Sequence, residues 1–484
     1  MYLKKLILIS SIFVISIFNF FSFNLSWPYK KMKTIDTSNI NASTDYSKND
    51  VKIPSILNVS PSKCQQYIVG KPCIEATYND ESGIDISSVK LFVNYKDVTN
   101  KCTITNNKIS YTPEKKFRRG NQIIKLIVCD SSISKNKAVF EWYFTVGTPV
   151  YNHYRGLLHA HTNASDGHGS YSDAYYMARD KTNLDFFAIT EHSNSLDNSD
   201  KCTIEDASNS KKWNNLIDCR DKFTLNGKFI ALNGFEMTYN HNTTDPIGHI
   251  NIFNSNGFVS RENPNMSLEN FYNLLYNQDD LIGQFNHPCN KFGKFKDFKY
   301  SCTADKVISL IEVGNGSNKD ISKNFRSYDM YQIALDKGWH LAPTCNQDNH
   351  KVNFGVANEF RTVILATDLS RDAIYDSLKK MRVYATEDKN IKIDYTINDI
   401  PMGSTLINPS KINFSISAID NDYNDKIKEI QIISNNGEII KNKTFNSNLA
   451  KLEFSIKPEK NKFYYVKVIQ NLYKVSVTAP IWIK

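Results

Sequence analysis

The stretch LLHAHTNASDG, Leu157 to Gly167, decides how the chain is read. It opens on two leucines, as a buried strand would. Two histidines follow one residue apart, and Asp166 stands five residues after His161. On a strand, residues two apart point to the same side, so His159 and His161 can face one metal ion.

The other histidines extend the pattern. All ten lie between His153 and His350. Apolar runs recur there: LLHAHT, LDFFAITEH, KFIALNGFE, GHINIF, LIGQFNH, VISLIEV and HLAPTCNQD. His192 ends the second run, Glu236 the third and His287 the fifth; His249 lies in the fourth, and Asp348 and His350 follow the last. A lone histidine is more often structural than a ligand. A His, Glu or Asp at the same end of run after run is not explained that way.

Helical stretches are expected at Ser172–Thr182, Ser267–Asp279, Asn324–Lys337 and Arg371–Met381. In the second, Ser267 with Glu269 and Asn270 reads as a capping box, and Phe271, Leu274 and Leu275 face inward. Strands alternating with helices predict a parallel sheet. Seven or eight such units predict a closed α/β barrel, with its reacting groups at the C-terminal ends of the strands.

The flanks have no histidine. Val51 to Gly147 reads as short alternating strands, the clearest being VKLFVNYKDVT, IIKLIVCD and VFEWYFTV, and predicts a β-sandwich. Asn390 to Lys484 returns to strands and predicts a second one, with a tight hairpin at Asn436–Gly437. The expected domains are therefore 53–148, 151–388 and 390–484, after a Ser/Thr/Asn/Asp-rich linker at 30–52.

Residues 1–29 are a basic start followed by an uncharged, largely apolar run, Leu6 to Tyr29. It is expected to act as a signal peptide or a retained N-terminal anchor, which predicts a protein outside a bacterial cell, secreted or on the outer face of the membrane. Nine cysteines fit export. Cys202/Cys219 and Cys289/Cys302 are expected to close short loops, with Cys345 a buried thiol. Cys64, Cys73, Cys102 and Cys129 allow three pairings. No C-x2-C pair occurs, which removes a zinc ribbon. The net charge of +9 suits an anionic substrate. No Lys/Arg stripe interleaved with aromatics points to nucleic acid.

The successive motifs LLHAHTNASDG, LDFFAITEH, GFE, GHINIF, NHP, IEVGNG and QDNH resemble those of the polymerase-and-histidinol-phosphatase (PHP) domain, in that family's order and over half the chain. RTVILAT, MRVYATED and the trailing β segment ending in TAPIWI resemble its CehA/McbA-like metallohydrolases. DESGIDISSVKLFVNYKDVT resembles bacterial immunoglobulin-like surface domains.

The resemblance implies a distorted (β/α)7 TIM-like barrel, here flanked by two β-sandwiches, and two or three divalent ions, zinc, manganese or iron. Carried onto this sequence, the first ion takes His159, His161, Glu236 and Asp348. The second takes Glu236 as a bridging carboxylate with His249 and His287. The third takes Asp166, His192 and His350. Several relatives have histidine at the position of Asp166, and the carboxylate is expected to weaken the third site.

Clustered ions lower the pKa of bound water and polarise a phosphoryl or carbonyl oxygen. Glu236 and Asp348 would carry the catalytic centre. His168 is a candidate proton donor and Arg361 a candidate anion clamp, with Arg155 and Lys351 near by; Glu191 and Glu312 would orient ligands. Three readings compete: an exported phosphoesterase, a carbamate, ester or amide hydrolase at the same site, and a surface adhesion or glycan-binding protein acting through its β domains.

Overall fold

The computed structural model describes residues 50–182, 184–240 and 243–484. The N-terminal apolar run, nearly all of the expected linker, and His241 lie outside the described residues. No helix among the described residues is long and apolar enough to cross a membrane.

Between Ser55 and Val146 the chain forms two four-stranded antiparallel sheets. Alternation places Ile124, Leu126 and Val128 of Gly120–Asp130 on one buried face. They pack with Ile74, Ala76 and Tyr78 of the facing sheet.

The expected parallel barrel is not what the middle of the chain forms. It belongs to one sixteen-stranded mixed sheet. Asn152–Leu157, Phe186–His192 and Ile230–Thr238 are parallel neighbours. His249–Phe253 then runs antiparallel to both Ile230–Thr238 and Ile282–Asn286. The connection from Thr238 to His249 is too short for a crossover, which takes a dozen residues or more. Parallel pairing resumes from Ile282–Asn286 through Ile308–Asn315 to Ala342–Cys345. Arg361–Ala366 is antiparallel to both Asn152–Leu157 and Val383–Thr386.

Nor does the sheet close on itself. Among the described residues no backbone ladder joins Ala342–Cys345 to Arg361–Ala366. The Cys345 N–H donates to the Thr362 hydroxyl at 3.1 Å instead. From Val383–Thr386 the ladder runs on through Val475–Thr478 and Lys462–Gln470 to Ile427–Ile433 and Ile439–Ser447. Asn436 and Gly437, both at positive φ, turn the chain between the last two. A separate four-stranded sheet, including Lys392–Ile397, Ile412–Ile419 and Leu449–Ile456, covers this C-terminal part.

Six α-helices lie among the described residues, too few to follow every strand. Tyr171–Asp180, Leu268–Tyr276, Tyr328–Asp336 and Arg371–Lys379 fall where helices were expected. Ser267 caps the second through the Asn270 N–H, but the reciprocal capping box is at Ser170 and Asp173. Lys211–Phe223 forms a further helix, beyond the four that the sequence leads one to expect. Its Trp213, Leu216 and Phe223 are buried, and Ser210 caps it.

The expected local disulfides are absent: all nine cysteines are free thiols. Cys219 contacts the Ser172 hydroxyl at 3.4 Å, and Cys289 accepts from the Phe292 N–H. Cys345 is fully buried.

Candidate metal centre

Strand register builds the site. His192 is the register partner of Glu236, and Thr238 of His249. His249 is in turn opposite Asn286, the residue before His287. Four neighbouring strands therefore bring their ligand-type side chains together. Ala160 bridges Asn349, which sets His159 and His161 beside Asp348 and His350. Gly167 folds the loop after His161 back on itself: its N–H donates to the Thr162 carbonyl, and a Cβ there would lie 2.3 Å from the His161 carbonyl oxygen. This return places Asp166 over the cluster.

Nine side chains converge: His159, His161, Asp166, His192, Glu236, His249, His287, Asp348 and His350. They form overlapping groups whose ligand atoms lie within 4.8 Å of one another. His161 joins Asp166, His192 and His350, and also joins His159 and Glu236. Glu236 joins His249 and His287, while His159, His287 and Asp348 form a further group.

Glu236 stands between the groups. Its Oε1 is 3.3 Å from His159, 3.4 Å from His249 and 3.6 Å from His287. Its Oε2 is 2.6 Å from His192 and 3.7 Å from His161. Asp348 Oδ1 lies 3.1 Å from His161 and 3.3 Å from His159. Asp166 Oδ1 lies 3.2 Å from His350 and 3.4 Å from His192.

Burial grades across the cluster. His159, His161 and Glu236 are fully buried, whereas the Asp166 side chain is 56% exposed. Solvent therefore reaches the cluster from the Asp166 side. Two members sit at positive φ, His287 at 30° and Asp348 at 45°. For residues with a Cβ this is strained backbone, of the kind that collects at working sites.

A second layer fixes the rings. His159 Nδ1 donates to Glu312 Oε1 at 2.9 Å, which aims its Nε2 at the cluster. The His287 N–H and the Asn315 and Asn346 amides also donate to Glu312. His350 Nδ1 donates to the Asp348 carbonyl at 2.9 Å and aims its other nitrogen at Asp166. Glu191 holds the loop rather than a ring: it accepts from the Thr162 N–H and from the hydroxyls of Thr162 and Ser165. Burial pushes Glu191 up to about 7.

The residues fit divalent cations. His159 Nε2 lies 3.1 Å from His161 Nε2, so a proton or a cation stands between the two nitrogens. Nδ1 of His161 and of His287 are buried without hydrogen-bond partners. Burial opposes charge on Glu236, but His249, His192 and His159 outweigh it and hold the carboxyl well below its usual range. Asp348 is likewise held low against burial, by His159 and His161. Burial opposes charge on His159, yet Asp348, Glu312 and Glu236 hold it well above the ordinary imidazole value. Burial takes His161 down to about 4, the neutral form a ligand needs. Imidazole and carboxylate donors suit zinc, manganese or iron.

Replacing Glu312 with Gln should leave the fold intact, because Gln retains one carbonyl oxygen for the amide donors. It should loosen the His159 ring and lower metal affinity by about 10–100-fold, read by competition with a chelator.

Other expected residues fall elsewhere. Arg361 is buried and spends its guanidinium on the carbonyls of Gly355, Asn358 and Phe360. It is not in the cluster, and Glu359 bonds Lys474 rather than Arg361. Arg155 donates to the Asn390 carbonyl. His168 is exposed on the Asp166 loop, its N–H donating to the His350 carbonyl. Lys351 is exposed next to His350. His153 lies between Tyr384 and Asp394, and His340 pairs with Asp305.

Sequence reading missed a buried amide chain behind Glu236. Asn286 Nδ2 donates to Glu236 Oε1 at 2.8 Å, Gln284 donates to Asn286, and Thr344 to Gln284. The signal was present. Gln284 and Asn286 are polar, two apart, inside an apolar run, and so share one face.

No protein-family model and no curated protein matches the chain. Among solved structures it is similar to CopC from Methylosinus trichosporium OB3b, at 13% identity over 20% of this chain and 94% of that one, with a TM-score of 0.17. It is similar to dimeric latent PorU from Porphyromonas gingivalis, at 16% identity over 22% of this chain and 11% of that one, TM-score 0.17. A β-glucuronidase of glycoside hydrolase family 2 aligns at 8% identity over 88% of this chain and 49% of that one, TM-score 0.25. At these scores the likenesses fix neither the fold nor the activity of this chain.

Proposed function

We propose that the chain is an exported metal-dependent hydrolase that cleaves phosphoesters. The observation that carries this reading is the convergence of nine imidazole and carboxylate side chains, five of whose imidazoles lie within 3.7 Å of the Glu236 oxygens. The order of the motifs, which resembles that of PHP-domain metallohydrolases, supports it. The apolar run Leu6 to Tyr29 supports export.

Divalent ions held here would supply Lewis acidity toward a phosphoryl oxygen and make water more acidic. The chain's own residues do the rest. Glu236, with Oε1 toward His159, His249 and His287 and Oε2 toward His192 and His161, would help hold these ions. Asp348 would complete the buried pair with His159 and His161. Asp166, His192 and His350 would hold an ion at the solvent side, where a substrate oxygen enters. Glu312 keeps the His159 lone pair directed inward throughout. His168, exposed two residues after Asp166, would be the proton donor to the departing oxygen.

The test is a substrate panel on the purified protein with manganese or zinc added. The panel is p-nitrophenyl phosphate, bis-p-nitrophenyl phosphate and an aryl ester. Cleavage of either phosphate ester above the aryl ester is expected. Cleavage of the aryl ester alone would move the reading to a carboxyl-ester, carbamate or amide hydrolase.

Asp166→Ala should remove the solvent-side ion first. Elemental analysis is expected to show about one equivalent lost, with the ions of the buried group retained.

A further inference from the structure

A cavity of about 790 Å³ opens where the middle of the chain meets its C-terminal part. None of the nine cluster residues lines it. Its walls carry Arg155, Lys319, Arg361, Lys389 and Lys392 against a single carboxylate, Glu359. That carboxylate is already engaged, at 2.7 Å by Lys474 and at 3.4 Å by Lys389.

The two guanidinium groups are the informative ones. Arg361 is only 9% exposed, and among the described residues neither guanidinium has a carboxylate within ion-pair distance; Asp185 meets Arg155 through its backbone N–H, at 2.7 Å. Arg361 bonds only neutral carbonyls, and Arg155 Nε is buried without a partner. A buried cation with no counter-charge is costly. Glu359 and Asp388 act on Arg361 from further off, and both are bonded directly by Lys474 instead. Lys319 and Lys392 stand exposed at the cavity, and neither has an ion-pair partner among the described residues.

We propose that this cavity binds a small polyanion bearing phosphate or sulfate groups, at a site separate from the metal cluster. The volume is that of a small-molecule pocket. Guanidinium groups give such oxoanions planar, paired donors, and lysines add point charge at the rim.

Titration calorimetry on the full chain tests this, with tripolyphosphate in one arm and inositol hexasulfate in the other. The sulfate arm offers no phosphoester and separates cavity binding from turnover. Lys319→Glu/Lys392→Glu changes only exposed residues and avoids the risk that Arg361→Gln unfolds the loop it holds. Saturable binding by the unaltered chain, weakened about tenfold or more in the double variant and retained in Glu236→Gln, supports the site. Preference for one arm then distinguishes phosphate from sulfate ligands. No saturable binding in either arm, equal binding by the double variant, or binding lost in Glu236→Gln instead would overturn it.

Discussion

Glu236→Gln is expected to lower phosphoester turnover by about 10³-fold, the loss that follows from several kcal/mol of transition-state stabilisation. Gln keeps the volume and a carbonyl oxygen for Asn286, so the fully buried site should stay packed. What it loses is the second anionic oxygen. Oε1 faces His159, His249 and His287, and Oε2 faces His192 and His161. One neutral amide cannot serve both sides. Metal content should fall with activity, and adding manganese or zinc should restore little. Wild-type turnover in the variant, at equal protein and metal, would remove the carboxylate from the centre of the mechanism.

Lys474→Met is expected to destabilise the protein by about 3–5 kcal/mol, the cost of stranding buried charge. Its ammonium bonds Glu359 at 2.7 Å, Asp388 at 2.8 Å and Asp425 at 2.7 Å. These residues come from three separate stretches of chain, so one cation ties the middle region to the C-terminal strands. Asp388 is fully buried and Asp425 is 7% exposed. Burial pushes Asp388 up, but the Lys474 ammonium and the N–H groups of Asn390 and Ile391 outweigh it and hold its carboxyl below the usual value.

A carboxyl held low in the folded state stabilises at pH above its unfolded value of about 4, and that contribution is lost as pH falls through the folded value. In Lys474→Met burial acts on Asp388 without the opposing cation. The deficit against wild type should therefore be large at pH 7 and smaller near pH 4, where the stranded carboxyls are protonated. Urea denaturation at the two pH values reads both. Equal midpoints for the two proteins at pH 7 would show that the network contributes nothing.

The ligand-type residues were legible because strand geometry is simple. Residues two apart share a face, so HAH and DNH could each be read as a pair before any fold was known. The direction of the strands was not legible from hydrophobic runs, which look alike parallel or antiparallel. GHINIF was read as one more parallel unit; it is an antiparallel strand between two neighbours. The short stretch from Thr238 to His249 carried that information, since no helix fits into it. Lys211–Phe223 escaped because Trp213, Leu216 and Phe223 make a thin stripe in a polar segment. Arg361 was misplaced because position in a run says nothing of what the guanidinium bonds. Cysteine spacing predicted loops that could close but not whether the sulfurs meet.

The most direct measurement is the metal content of the protein purified without added metal or chelator, by elemental analysis. Two to three equivalents of zinc, manganese or iron are expected, matching the overlapping groups around Glu236. A protein that carries none of these ions, and takes up none from an excess of manganese or zinc, would contradict the metal centre and the hydrolase built on it.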